Sequence, residues 1–209
     1  ERSAVYKAIR LADNKKVILK TINKIHPSPE EIASLSNEYN TISSINKKGV
    51  IEVLEKIEYN NKPVIVQEDI DGLSLASLLK SSPFSILDFL ELSLNIIEAL
   101  EGVHKSGYTH KDINPSNIIF NPVTKELRLI DFELSSRLNF ERSSTIHPNK
   151  LEGTLGYISP EQTGRMNRSI DYRSDFYSLG ISFFQFLTGK LPFQSDDRME
   201  MIHFHLARS

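Results

Sequence analysis

The sequence predicts an α+β protein in two lobes, a small β-rich one followed by a larger helical one. The first 70 residues hold short β-branched and apolar runs parted by Asn and Asp turns. Beyond Asp71-Gly72, apolar residues recur at helical spacing. A length of 209 residues at 39% hydrophobic content suffices for one large domain or two small lobes.

Residues 3–10 and 16–21 read as antiparallel strands joined by a turn at Asp13-Asn14. Pro29-Glu30-Glu31 opens a helix that sets Ile32, Leu35, Tyr39 and Ile42 at helical spacing. Residues 50–59 and 63–68 form a second hairpin, turned at Asn60-Asn61. The hinge falls between Glu68 and Gly72, dividing the chain into residues 1–70 and 71–209. Amphipathic helices follow at 73–80 and 86–105, the second closed by Ser106-Gly107 in the C′ manner. Short strands at 117–120 and 127–130 flank Asn121-Pro122. Residues 135–152 are poor in apolar side chains, and an apolar helix spans 174–188. No internal repeat or low-complexity tract interrupts this order.

Composition excludes several functions. Lys and Arg number 25 against 27 acids, and a net charge of −2 gives no basic footprint for nucleic acid and no polybasic face for anionic lipid. The absence of cysteine excludes disulfides, thiolate catalysis and a Cys-based zinc site. The most apolar stretch, 179–187, contains Ser182 and Gln185 and is too short to span a bilayer, and the N-terminus has no signal-peptide pattern. These features lead us to expect a cytoplasmic protein. The chain starts at Glu1 inside a strand and stops within a helical pattern, so it is expected to be a fragment truncated at both ends.

The sharpest chemical signal is His110-Lys111-Asp112-Ile113-Asn114-Pro115-Ser116-Asn117, followed 14 residues later by Asp131-Phe132. Phosphoryl transfer needs a carboxylate to orient the attacking hydroxyl and oxygen ligands to hold Mg²⁺ against phosphates. Asp112 suits the first role, Asn117 and Asp131 the second. A lone string of this kind also suits an ordinary loop with an Asx turn and a packed His. The order His, Asp, Asn, Asp-Phe, interleaved with apolar strands, weighs against that reading.

These residues resemble the protein kinase family, whose catalytic loop reads H-R-D-L-x-x-x-N and whose metal-binding strand ends in D-F-G. The resemblance implies that Asp112, Lys20 and Asn117 are catalytic and that Asn117 and Asp131 bind the metal. It places Val5, Ile18, Lys20, Glu38, Glu68 and Ile70 around ATP. Lys20, in Val17-Ile18-Leu19-Lys20, is similar to the phosphate-pairing lysine, with Glu38 as its expected ion-pair partner. Val5 corresponds to the valine that covers adenine, and Ser3 to the last position of the glycine-rich loop. The block Gly153-Thr154-Leu155-Gly156-Tyr157-Ile158-Ser159-Pro160-Glu161 resembles the substrate-docking end of the activation segment. Asp175-Phe176-Tyr177-Ser178-Leu179-Gly180 resembles the start of the central large-lobe helix, whose Asp anchors the catalytic loop. The continuation Gln162-Thr163-Gly164-Arg165-Met166-Asn167 is similar to kinase modules at the N-terminus of large bacterial hybrid proteins, which run on into an AAA-type ATPase, a GAF sensor and a histidine kinase.

The resemblance implies a two-lobed kinase-like fold that uses ATP and Mg²⁺ to phosphorylate Ser or Thr of a protein substrate. It also implies a signalling role and further domains in the same chain. The alternatives are a pseudokinase serving as an interaction or sensor module, and a small-molecule phosphotransferase; the second normally lacks the 153–161 and 175–180 blocks. Four departures from the family bear on activity. Ile18 stands where Ala is usual, and Lys111 replaces an Arg that reads an activation-loop phosphate bidentately. Ser143, Ser144 and Thr145 offer hydroxyls, as would any solvated loop. Glu133 replaces the glycine of D-F-G and gives up its φ freedom. Asn114 replaces a Lys that contacts the γ-phosphate, which leads us to expect faster turnover in Asn114→Lys unless Asn114 instead braces Asp112.

Overall fold

The computed structural model describes residues 3–80, 83–137, 153–166 and 168–207. Strands β1 (Ser3–Arg10), β2 (Lys15–Ile22), β3 (Val53–Tyr59) and β4 (Lys62–Glu68) form an antiparallel sheet in the order β1-β2-β4-β3. Helix α1 (Pro29–Ile45) packs against it. A capping box starts the helix: Glu31 N donates to Ser28 Oγ at 3.3 Å and Ser28 N to Glu31 Oε2 at 2.9 Å, with Pro29 in the first turn. Asn46 ends it in the left-handed region. Leu35, Ile42 and Ile45 are buried on one face, together with one charged side chain, Glu38.

The second part begins at Gly72. A Cβ there would lie 2.9 Å from the Phe120 carbonyl oxygen, so only glycine lets the chain pass. It contains β5 (Leu73–Ser74), α2 (Leu75–Leu79), α3 (Ile86–Lys105), β6 (Tyr108–Thr109), β7 (Ile118–Phe120), β8 (Leu127–Leu129), β9 (Ser136–Arg137), α4 (Tyr172–Thr188) and α5 (Arg198–Ala207). Strands β5, β7 and β8 form one small sheet and β6 with β9 another. The main core gathers Ile96, Leu100 and Val103 of α3 with Ile118, Leu129, Leu179 and Phe186. Each large aliphatic side chain fully withdrawn from water there contributes about 2 kcal/mol.

The structure shifts several expected boundaries. The strand expected at 50–59 begins at Val53, because Val50 bridges Leu129 in parallel and Ile51 N donates to Leu129 O at 3.0 Å. Their side chains are buried between the two parts. The helix expected at 73–80 is shortened to α2, since Leu73 and Ser74 pair with Phe120 and Ile119 and the Ser74 hydroxyl caps Ser77 N. Asn117 belongs to a single 3-10 turn, Pro115–Asn117, rather than to the strand after it. Helix α4 starts two residues before the expected Ser174, because Asp171 caps Arg173 N at 2.9 Å. Ser143, Ser144, Thr145 and most of the apolar-poor segment lie outside the described residues.

Candidate active site

Lys20 sits on β2 directly opposite Val5 of β1 and Ile65 of β4. Its Nζ donates to Glu38 Oε1 at 2.7 Å and to Asp131 Oδ1 at 2.8 Å, joining the sheet, α1 and the segment after β8. Burial alone would depress the Lys20 pKa, but the two carboxylates outweigh it and hold the ammonium above its ordinary value. Burial likewise opposes ionisation of Asp131, and Lys20 overrides it, keeping Asp131 below the usual carboxylate value. Burial pushes the Glu38 carboxyl up against the pull of Lys20. Glu38 Oε1 also accepts Phe132 N at 3.3 Å, while Oε2 has no partner among the described residues.

The loop 110–117 is held from three sides. Asp175, fully buried on α4, accepts His110 N at 2.9 Å and Lys111 N at 2.7 Å, and its Oδ2 lies 2.7 Å from His104 Nε2. Gln162 Nε2 donates to Lys111 O at 2.8 Å. These bonds hold Lys111 at φ +69°, a left-handed conformation that costs an L residue about 1–2 kcal/mol. His110 packs against Phe132 with the rings tilted by 56° and their centroids 4.6 Å apart, and its Nε2 lies 3.1 Å from Ile130 O. That carbonyl can only accept, so Nε2 carries the proton and leaves Nδ1 to accept Asp112 N at 3.3 Å.

Asp112 is aimed by both of its oxygens. Oδ1 accepts Thr154 N at 2.9 Å and Oδ2 accepts Asn117 Nδ2 at 2.9 Å. Gly153, at φ +107°, brings the Thr154 amide over the loop. Asn114 does not stand free: Nδ2 donates to Asp112 O at 3.1 Å and to Thr154 Oγ1 at 3.2 Å, and Oδ1 accepts Ser116 N at 2.9 Å.

A cleft of about 840 Å³ lies between the two parts. Val5, Ile18, Lys20, Ile70, Asn117 and Asp131 line it, as does Glu68. The Glu68 carboxylate is held by Arg128, with Nε–Oε1 at 2.7 Å and Nη2–Oε2 at 3.3 Å, and it also accepts Glu52 N. Two expected residues do not line the cleft. Glu38 stands behind Lys20, and Asp112 lies to the side, joined through Asn117. A larger open groove of about 1010 Å³, between the end of α1, α3 and the β7–β8 turn, contains none of these residues.

Sequence reasoning missed the contacts from His104 and Gln162, and the Ser174 hydroxyl that donates to the buried Glu161 carboxylate at 2.6 Å. Gln162, at least, was marked by its place directly after Ser-Pro-Glu.

A β-rich part with one helix, a helical part, and Lys20 joined to Glu38 and Asp131 at the cleft between them together have the architecture of a protein kinase domain. The family model for the protein kinase domain matches residues 1–208, and the chain belongs to that family. It is 32% identical to a probable serine/threonine-protein kinase of Clostridium perfringens, over 98% of this chain and 29% of that protein. It is 28% identical to the serine/threonine-protein kinase PknB of Mycobacterium tuberculosis, over 81% of this chain and 27% of that protein. The chain thus spans less than a third of the length of these relatives.

Proposed function

We propose that this chain transfers the γ-phosphoryl group of ATP to Ser or Thr hydroxyls of a protein substrate, using Mg²⁺. The observation that carries the proposal is Lys20 Nζ within 2.8 Å of both Glu38 and Asp131, an arrangement that makes one cation available to phosphates beside a metal-binding carboxylate. Val5 and Ile18 cover the adenine, and Ile70 and the Glu68 backbone border it at the hinge. Asp112 orients the acceptor hydroxyl and takes its proton as the oxygen attacks phosphorus.

Asp131 and Asn117 would hold Mg²⁺. Their oxygens suit a hard cation: Asn117 Nδ2 is taken by Asp112, which leaves its carbonyl oxygen as the ligand atom. Mg²⁺ keeps several waters, so phosphate oxygens and water would supply its other ligands. When bound, the ion offsets charge on the phosphate oxygens.

The same reading takes residues 1–70 and 71–209 as the two kinase lobes. It takes the chain as the kinase module of a longer cytoplasmic signalling protein with further domains, of the bacterial hybrid type. The length of the relatives supports a longer protein. No helix among the described residues is long and apolar enough to cross a membrane. The test is transfer of labelled γ-phosphate by the protein and by Asp112→Asn. Asp112→Asn is expected to lose at least about 10²-fold in rate. Activity in both proteins, or in neither, overturns the proposal. Asp131→Ala should abolish the Mg²⁺ dependence of nucleotide binding.

A further inference from the structure

Glu133 stands where the family pattern has glycine, and its carboxylate reaches helix α1. Ser34 Oγ donates to Glu133 Oε1 at 3.4 Å. Ser34 and Glu38 are four residues apart and therefore share one face of α1. From that face the helix contacts three consecutive residues. Glu38 holds Asp131 through Lys20, accepts Phe132 N at 3.3 Å, and is followed one turn earlier by Ser34 on Glu133.

The grip coincides with backbone strain. Asp131 is at φ +64°, a left-handed conformation that a non-glycine residue keeps only when its surroundings impose it. Phe132 is buried against His110. Glu133 is not among the residues with positive φ, and its side chain disfavours the backbone states that glycine would add at this position. It also lines both the nucleotide cleft and a separate hollow of about 400 Å³ beside α1, so its side chain stands on the wall between them.

We propose that Glu133 is a positioning residue that fastens the 131–133 segment to α1 and thereby holds Asp131 in its Lys20-bound conformation. The proposal deepens the kinase reading, on which the role of Asp131 rests. Its consequence is mechanical: α1 and the metal-binding segment move as one unit, and a displacement of α1 carries Asp131 with it.

The first measurement needs no nucleotide, metal or turnover. Amide hydrogen exchange at Phe132 is compared in the parent, Glu133→Gly, Glu133→Gln and Ser34→Ala. Glu133→Gly is expected to speed exchange at Phe132 on the order of tenfold at an unchanged denaturation midpoint, because only local opening is affected. Glu133→Gln, which keeps an oxygen acceptor and the backbone restriction, stays near the parent. Ser34→Ala falls between, and adding it to Glu133→Gly has no further effect, since both remove one contact. In kinetics, Glu133→Gly raises KM for Mg-ATP more than it lowers kcat. Unchanged exchange at Phe132 in both Glu133→Gly and Ser34→Ala overturns the proposal. So does faster exchange spread over the whole chain with a lower midpoint, which marks general destabilisation. Local loosening of Phe132 in a protein that transfers no phosphate sustains the fastening and defeats the kinase reading.

Discussion

Asn114 Nδ2 donates to the carbonyl oxygen of Asp112 at 3.1 Å, while its Oδ1 accepts Ser116 N at 2.9 Å. The side chain thus closes the turn that carries Asp112, and its remaining reach goes to Thr154 Oγ1. From sequence, Asn114 looked like a lost positive charge; the geometry supports the competing reading, a brace.

Asn114→Lys is therefore expected to slow the reaction. Lysine supplies donors but no acceptor for Ser116 N, so the bond that closes the turn is lost, at a cost of about 1 kcal/mol. We expect kcat to fall about tenfold or more as Asp112 loses its fixed aim. Steady-state kinetics, with circular dichroism to confirm the fold, checks this. A kcat above the parent's would restore the charge argument.

Lys20→Met removes the cation between Glu38 and Asp131. Glu38 is 1% exposed and has no other countercharge among the described residues, so stability should fall by about 3 kcal/mol. Turnover should drop about 10²-fold or more, since the proposed function gives Lys20 to the phosphates. Lys20→Met combined with Glu38→Leu should recover part of the stability and none of the turnover. Urea denaturation and initial rates separate the two effects.

Asp175→Asn leaves one backbone N–H of the pair His110 and Lys111 facing an amide donor. We expect a loss of about 2–3 kcal/mol, the scale of a charge-assisted hydrogen bond. Because the Lys20 cluster is untouched, KM for ATP should change less than kcat. The opposite split would place Asp175's influence in the cleft rather than in the loop.

His205 of α5 bridges Tyr177 and Leu155. Its Nε2 donates to Leu155 O at 2.9 Å, and its Nδ1 accepts the Tyr177 hydroxyl at 2.9 Å. Burial depresses the His205 pKa below its ordinary 6.5, with the Leu155 bond opposing. The neutral ring is the one the fold stabilises, so this contribution is present above 6.5 and declines as pH falls below it, where only the unfolded chain takes up the proton. Denaturant titrations at pH 7.5 and 5.5 should show a stability loss that His205→Gln largely removes.

Much of this chain was legible without coordinates because its signals are local. Pro29, Glu30 and Glu31 carry the start of α1, Ser106-Gly107 the end of α3, and helical spacing the buried faces of both. The resemblance to the kinase pattern gave the order Lys20, Glu38, Asp112, Asn117, Asp131, and it placed the Lys20–Glu38 pair before any distance was known. What the sequence did not reveal depends on partners far along the chain. Asn114 could not be told from a missing cation until Thr154, 40 residues on, came to cover it. Val50 and Ile51 read as strand until Leu129 drew them to the second part. That the Glu68 carboxylate is held by Arg128, 60 residues on, could not be read from the sequence. Periodicity and caps are set by neighbours within a few bonds, so sequence alone determines them. Which hydrogen-bond partner a side chain chooses is decided only when tertiary packing brings distant groups within 3 Å and removes the water that would otherwise serve.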